Sequence, residues 1–115
     1  MEADECEILV VDDIEDNRYT LERRLKRDGY QNVTLVDGGA AALNSINEQQ
    51  FDLVLLDLMM PEISGLDVLK TLKADPLNRH IPVIMVTAAD EIETAAECIS
   101  FGADDFISKP FNATL

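Results

Sequence analysis

Short apolar runs recur along the chain, separated by mixed segments: EILVVD at 7 to 12, VTLV at 33 to 36, DLVLLD at 52 to 57, IPVIMVT at 81 to 87 and DDFIS at 104 to 108. Their length and their Val, Ile and Leu content predict five strands, and the near-continuous apolar character predicts burial on both faces. Between the runs the apolar positions switch to helical spacing: Leu21 with Leu25, Ala42 and Leu43 with Ile46, Leu66 with Leu69, and Ile92, Ala95 and Ala96 with Ile99. Strands alternating with amphipathic helices predict a doubly wound α/β domain, a parallel sheet covered by helices on both faces, because each crossover helix must hide one side of the sheet. Gly29, Gly38 with Gly39, and Gly102 fall where helices end or turns begin, and Pro82 falls at a strand start.

The two ends read differently. Residues 1 to 5, MEADE, read as a frayed polar terminus. Asn112 reads as a helix N-cap after Lys109, Pro110 and Phe111, yet the sequence stops at Leu115, before a helix can propagate. The expectation is one domain over residues 1 to 115 with its final helix truncated, cut from a longer chain.

Size and charge narrow the function classes. At 115 residues the chain can bury roughly two-thirds of its unfolded surface, so it needs neither disulfides nor a structural metal, and any metal would be functional. The excess of 23 acidic over 9 basic residues, a formal charge of -14, repels nucleic acid and anionic membranes, so no direct nucleic-acid contact and no membrane association are expected. Cys6 and Cys98 form no disulfide framework and lie at no metal-ligand spacing, and Cys98 reads as a small helix residue rather than a reactive thiol. No segment reads as a signal peptide or approaches the ~18 apolar residues of a membrane span, so a cytoplasmic protein is expected.

In a parallel sheet the C-terminal strand ends share one edge, where ligands bind. Reading those ends gives Asp12 and Asp13, Asp57, Thr87, and Lys109 just past the fifth run. Three crowded carboxylates repel one another unless a cation neutralises them, and an all-oxygen set favours a hard ion such as Mg2+. The backbone carbonyl of Met59, in a loop bent by Pro61, lies within reach of the same ion. Asp carboxylates accept phosphoryl groups, and Lys109 and Thr87 would supply a cation and a hydroxyl donor to the transferred oxygens.

Taken alone, each residue has a plainer explanation. Asp13 or Asp16 caps the first helix, Thr87 ends a strand, Lys109 is a solvated cation, and Met59 and Met60 are flexible apolar fillers near the surface. Capping explains a single acid; it leaves a second adjacent acid, a third on another strand, a hydroxyl and a cation without a reason.

In VVDD at 10 to 13, LLDLMMPEISG at 55 to 65, VTA at 86 to 88 and FISKPF at 106 to 111 the chain resembles the receiver domain of bacterial two-component response regulators. The resemblance covers residues 7 to 112, and the motifs, weak singly, are specific in this order and spacing. It implies a five-stranded flavodoxin-like fold of strand order 2-1-3-4-5, phosphorylated on Asp57 by a sensor histidine kinase or phosphotransfer protein and acting on a downstream output domain or protein. Asp12, Asp13, Asp57 and the Met59 carbonyl match the family's Mg2+ site, with Mn2+ as the alternative ion. Thr87 and Lys109 match its phosphate-sensing pair and Phe106 its aromatic switch, with Ala88 leaving room for the movement; a fifth-strand core aromatic is the plainer reading of Phe106. Lys109–Pro110 matches a peptide bond the family holds in cis. Such a domain catalyses only its own phosphorylation and dephosphorylation.

Other classes fit less well. An aspartyl-phosphate hydrolase wants a second acid two residues after the nucleophile, where this chain has Met59. A nucleotide or flavin module wants a phosphate-cradling loop after the first strand, where this chain reads DDIEDN. A phosphate-independent interaction module would not require the complete set of site residues.

Overall fold

The apolar runs become strands and the periodic segments helices in the computed structural model, which describes residues 2 to 109. In chain order these are β1 (Glu7–Val11), α1 (Glu15–Arg27), β2 (Asn32–Val36), α2 (Gly39–Glu48), β3 (Leu53–Asp57), α3 (Gly65–Ala74), β4 (Val83–Thr87), α4 (Ile92–Ser100) and β5 (Asp105–Ser108). All strands pair in parallel in the order β2-β1-β3-β4-β5, the fold class expected. The expected truncated final helix, and the Pro110 side of the Lys109–Pro110 bond, fall on residues 110 to 115, outside the described residues.

The sheet separates two cores. On one face Leu9, Val11, Val54, Leu56, Val83 and Met85 pack with Ala42 and Ile46 of α2, Val68, Leu69 and Leu72 of α3 and Cys98 of α4. On the other, Ile8, Val10, Leu55 and Val86 pack with Leu21 and Leu25 of α1. Alternate residues of one strand thus feed opposite cores, which is why β1 is apolar from Ile8 to Val11 and β3 from Leu53 to Leu56. Full burial of a side chain such as Leu56 contributes roughly 1.5–3 kcal/mol.

Local chemistry sets the element ends. Ser64 caps α3 through a reciprocal box: its hydroxyl accepts from the Asp67 N–H at 3.1 Å and the Asp67 carboxylate accepts from the Ser64 N–H at 3.3 Å. Gly29 and Gly102, with φ of 100° and 109°, follow α1 and α4 in the left-handed conformation that glycine adopts without strain. Asp52 and Asp104 precede β3 and β5, and each accepts the first N–H of a neighbouring strand, Glu7 and Val83, at 2.9 Å. These two acids therefore act at the strand-start edge, opposite the candidate site.

Two expectations need correction. Residues 3 to 5 form a short 3-10 turn instead of a frayed end, and the Asp4 carbonyl accepts from the Asn32 side chain at 2.8 Å. Met60 is buried in the larger core, whereas its neighbour Met59 is 60% exposed; a pattern of adjacent methionines does not show which one points inward.

Candidate functional site

The strand register brings the C-terminal ends together. Val11 pairs with Leu56, Asp57 with Val86, and Thr87 with Ser108, so the residues following β1, β3, β4 and β5 emerge along one edge. Between β1 and β3 the direction of winding reverses, and the loops diverge to leave a crevice there.

Asp12, Asp13 and Asp57 meet in this crevice, each offering a carboxylate oxygen within 4.8 Å of the others. Asp12 and Asp57 are buried and Asp13 is exposed. The Lys109 ammonium lies 3.1 Å from Asp57 Oδ1 and 3.3 Å from Asp12 Oδ2, while the Lys109 backbone N–H donates to the Thr87 carbonyl at 2.6 Å. Lys109 is thus an ion-paired, half-buried cation. Burial pushes the Asp57 carboxyl from the ordinary 3.8 up to about 6; the Asp12 charge adds to the rise and Lys109 opposes it. For Lys109 burial favours the neutral amine, but the Asp57 and Asp12 carboxylates outweigh it and hold its pKa above the usual lysine value.

The remaining residues take distinct places. Thr87 is fully buried at the end of β4, its hydroxyl donating to the Ile107 carbonyl at 3.4 Å. Ala88 follows it, half-buried, and Phe106 on β5 is half-buried against the larger core. Cys98 is buried in α4, where burial raises its thiol pKa. Neither Asp13 nor Asp16 caps α1: the cap position is Ile14 and no side chain caps it. Asp12 instead accepts from the Ile14 N–H at 2.9 Å.

Several residues the pattern did not single out shape the crevice. Arg18 and Asn17 of α1 bond to Asp12, the former to its carbonyl at 2.8 Å and the latter to Oδ1 at 3.4 Å. Glu62 has a positive φ of 67° inside a three-residue turn closed by Ile63 N–H to Pro61 carbonyl at 2.8 Å, so Pro61 and Glu62 together swing the chain off the site. Gly65 lies so close to the end of β3 that a Cβ there would be driven into the Asp57 carbonyl oxygen. Its place in the run LLDLMMPEISG was a visible signal, but a close approach is a tertiary fact.

The described residues contain two buried side-chain oxygens without a hydrogen-bond partner, Asp57 Oδ2 and Asp12 Oδ2. The second has Lys109 at ion-pair distance, but the first has neither donor nor cation assigned to it. A buried carboxylate oxygen left bare is costly, and its natural partner is a ligand.

Among known proteins, the chain matches the response regulator receiver domain family over residues 8 to 115. It is 44% identical over 112 residues to transcriptional regulatory protein ZraR of Escherichia coli, covering 97% of this chain and 25% of that protein. It is 37% identical over 106 residues to chemotaxis protein CheY-3 of Vibrio cholerae, covering 92% of this chain and 82% of that one. The solved receiver domain of NtrX from Brucella abortus superposes with a TM-score of 0.86 at 35% identity, covering 94% of this chain and 89% of that one. The chain spans about a quarter of the length of ZraR. Within the described residues, no helix is long and apolar enough to cross a membrane. Matching motifs, sheet order and acidic crevice agree with these likenesses: the chain belongs to the response regulator receiver domain family, the phosphoacceptor signalling domains of two-component systems.

Proposed function

We propose that Asp57 is the phosphoacceptor and that the observation carrying this is its bare Oδ2: a buried carboxylate at a strand end, one oxygen held by Lys109 and the other unpartnered. That oxygen attacks the phosphorus of a phosphohistidine on a sensor kinase or phosphotransfer protein, an Asp57 O–P bond forms, the donor P–N bond breaks, and the imidazole departs with a proton. Reversal by water breaks the same O–P bond and frees inorganic phosphate, so the chain catalyses only its own modification.

The oxygen donors fit a hard divalent ion: Asp12 Oδ2 lacks a hydrogen-bond partner, and Asp12, Asp13 and Asp57 each bring a carboxylate oxygen within 4.8 Å of the others. Asp12, Asp13, Asp57 and the Met59 carbonyl would hold Mg2+, or Mn2+ in its stead. When bound, the ion neutralises the carboxylates and the incoming phosphoryl charge. Lys109 stabilises transferred oxygens from the opposite side. Thr87 exchanges its long bond to Ile107 for the phosphoryl group, and Phe106 moves into the space behind it past Ala88, biasing a two-state equilibrium read by an output domain or protein. The reading places this switch in the cytoplasm, without direct nucleic-acid or membrane contact, since its formal charge of -14 repels both. An aspartyl-phosphate hydrolase is disfavoured because the position two residues after Asp57 is Met59, an exposed side chain without an acid.

Incubation with Mg2+ and acetyl phosphate, followed by intact mass, tests this. One phosphoryl adduct is expected for the wild type, absent in Asp57→Asn and on omitting Mg2+; a folded wild type that stays unmodified would refute it.

A further inference from the structure

Asp12 is fully buried, and its four polar atoms are treated unequally. Its N–H donates to the Val36 carbonyl at 3.2 Å, its carbonyl accepts from Arg18 Nη1 at 2.8 Å, and Oδ1 accepts from the Ile14 N–H at 2.9 Å and from Asn17 Nδ2 at 3.4 Å. Only Oδ2 has no hydrogen bond, the Lys109 ammonium lying 3.3 Å from it as an ion pair. Turning the peptide would break the Arg18 contact, and turning the carboxylate would break the two to Oδ1. The side chain is therefore preset to offer a single oxygen toward Asp57 and Asp13.

The identity of the clamp is informative. Arg18 brings a positive charge up to the backbone of a residue that lies in an acidic trio, and by charge alone it opposes a divalent cation there. Partners that orient a metal ligand typically matter 10- to 100-fold in affinity.

We propose that Arg18, aided by Asn17, is a positioning residue of the metal centre: its guanidinium clamps the Asp12 carbonyl so that Asp12 Oδ2 points at the ion. This rests on the metal reading given above. The two accounts of Arg18 predict opposite signs, since loss of a like charge tightens cation binding and loss of a clamp weakens it.

Titration calorimetry of MgCl2 into the full chain, with circular dichroism to confirm folding, separates them. Arg18→Met is expected to bind Mg2+ about 10-fold more weakly than the wild type, Asn17→Ala about 3-fold more weakly, and Arg18→Lys between Arg18→Met and the wild type. Should Arg18→Met fail to fold, Arg18→Leu, which likewise removes the N–H donor, and Asn17→Ala carry the same comparison. Unchanged or tighter binding by the folded Arg18 variant overturns the clamp while leaving the metal centre standing. A wild type that binds no Mg2+, with Asp12→Asn no different, overturns both.

Discussion

A carboxylate at the end of β3 is held in a place that does not suit its charge. Burial and the nearby Asp12 raise Asp57 to about 6 against an ordinary 3.8, so the folded protein binds this proton more tightly than the unfolded chain does. Stability from this group is then greatest at low pH and declines as pH rises from about 4 through about 6. Without metal, Asp57→Asn is expected to be the more stable protein at pH 7, by on the order of 2 kcal/mol, with the advantage gone near pH 4. Urea unfolding in EDTA at the two pH values measures it, and an advantage independent of pH would sink the idea. Gly65 is the second residue with a sharp requirement. Gly65→Ala forces a methyl into the backbone of Asp57 and Leu58, and a loss of about 1–3 kcal/mol is expected in the same unfolding assay, together with slower phosphorylation by acetyl phosphate. Here sequence reading has a clear limit: it marked the acids, hydroxyl and cation because their chemistry is written in the side chain. It passed over Gly65, Arg18 and Asn17, whose roles depend on what lies against them.

The segment after β4 is closed by its own boundary residues. Glu91 Oε1 accepts the Ala88 N–H at 2.6 Å while the Glu91 N–H donates to the Ala88 carbonyl at 3.0 Å, so the loop that follows Thr87 is closed on itself. On the proposed reading, a movement of Thr87 toward a phosphoryl group would work against this closure. Glu91→Ala is expected to cost about 1 kcal/mol and to increase hydrogen exchange at the Ala88 amide. Unaltered protection of that amide would show that the side chain holds nothing. The strands and helices themselves were legible, because periods of 2 and 3.6 survive in a sequence whose sheet is buried on both faces. Boundaries were not: Asp52 and Asp104, read as strand residues, stand just outside as acceptors for neighbouring strands, since pairing rather than composition decides where a strand starts.

At the scale of the molecule, a charge of -14 is spread over a small domain and opposes its own folding. Raising NaCl from about 10 to about 200 mM in EDTA is expected to increase the melting temperature by several degrees, as screening shortens the range of that repulsion. A melting temperature that falls would mean that specific ion pairs outweigh the net repulsion. The two cores are unequal: α2, α3 and α4 contribute to the larger, and α1 to the smaller among the described residues. The edge that carries Asp57 lies across the ends of both.

The order of apolar runs and helical spacings determined by itself the fold class, the parallel sheet and the edge on which chemistry would gather, because those follow from periodicity and from the need to cover two faces. The kinds of group at that edge, acids, a hydroxyl and an ammonium, were equally fixed by residue type. Which oxygens are bare, which of two methionines is buried, and which arginine braces Asp12 were decided only by tertiary structure. Each depends on distances between residues remote in the chain or on the rotation of one side chain, and neither leaves a mark in a one-dimensional pattern.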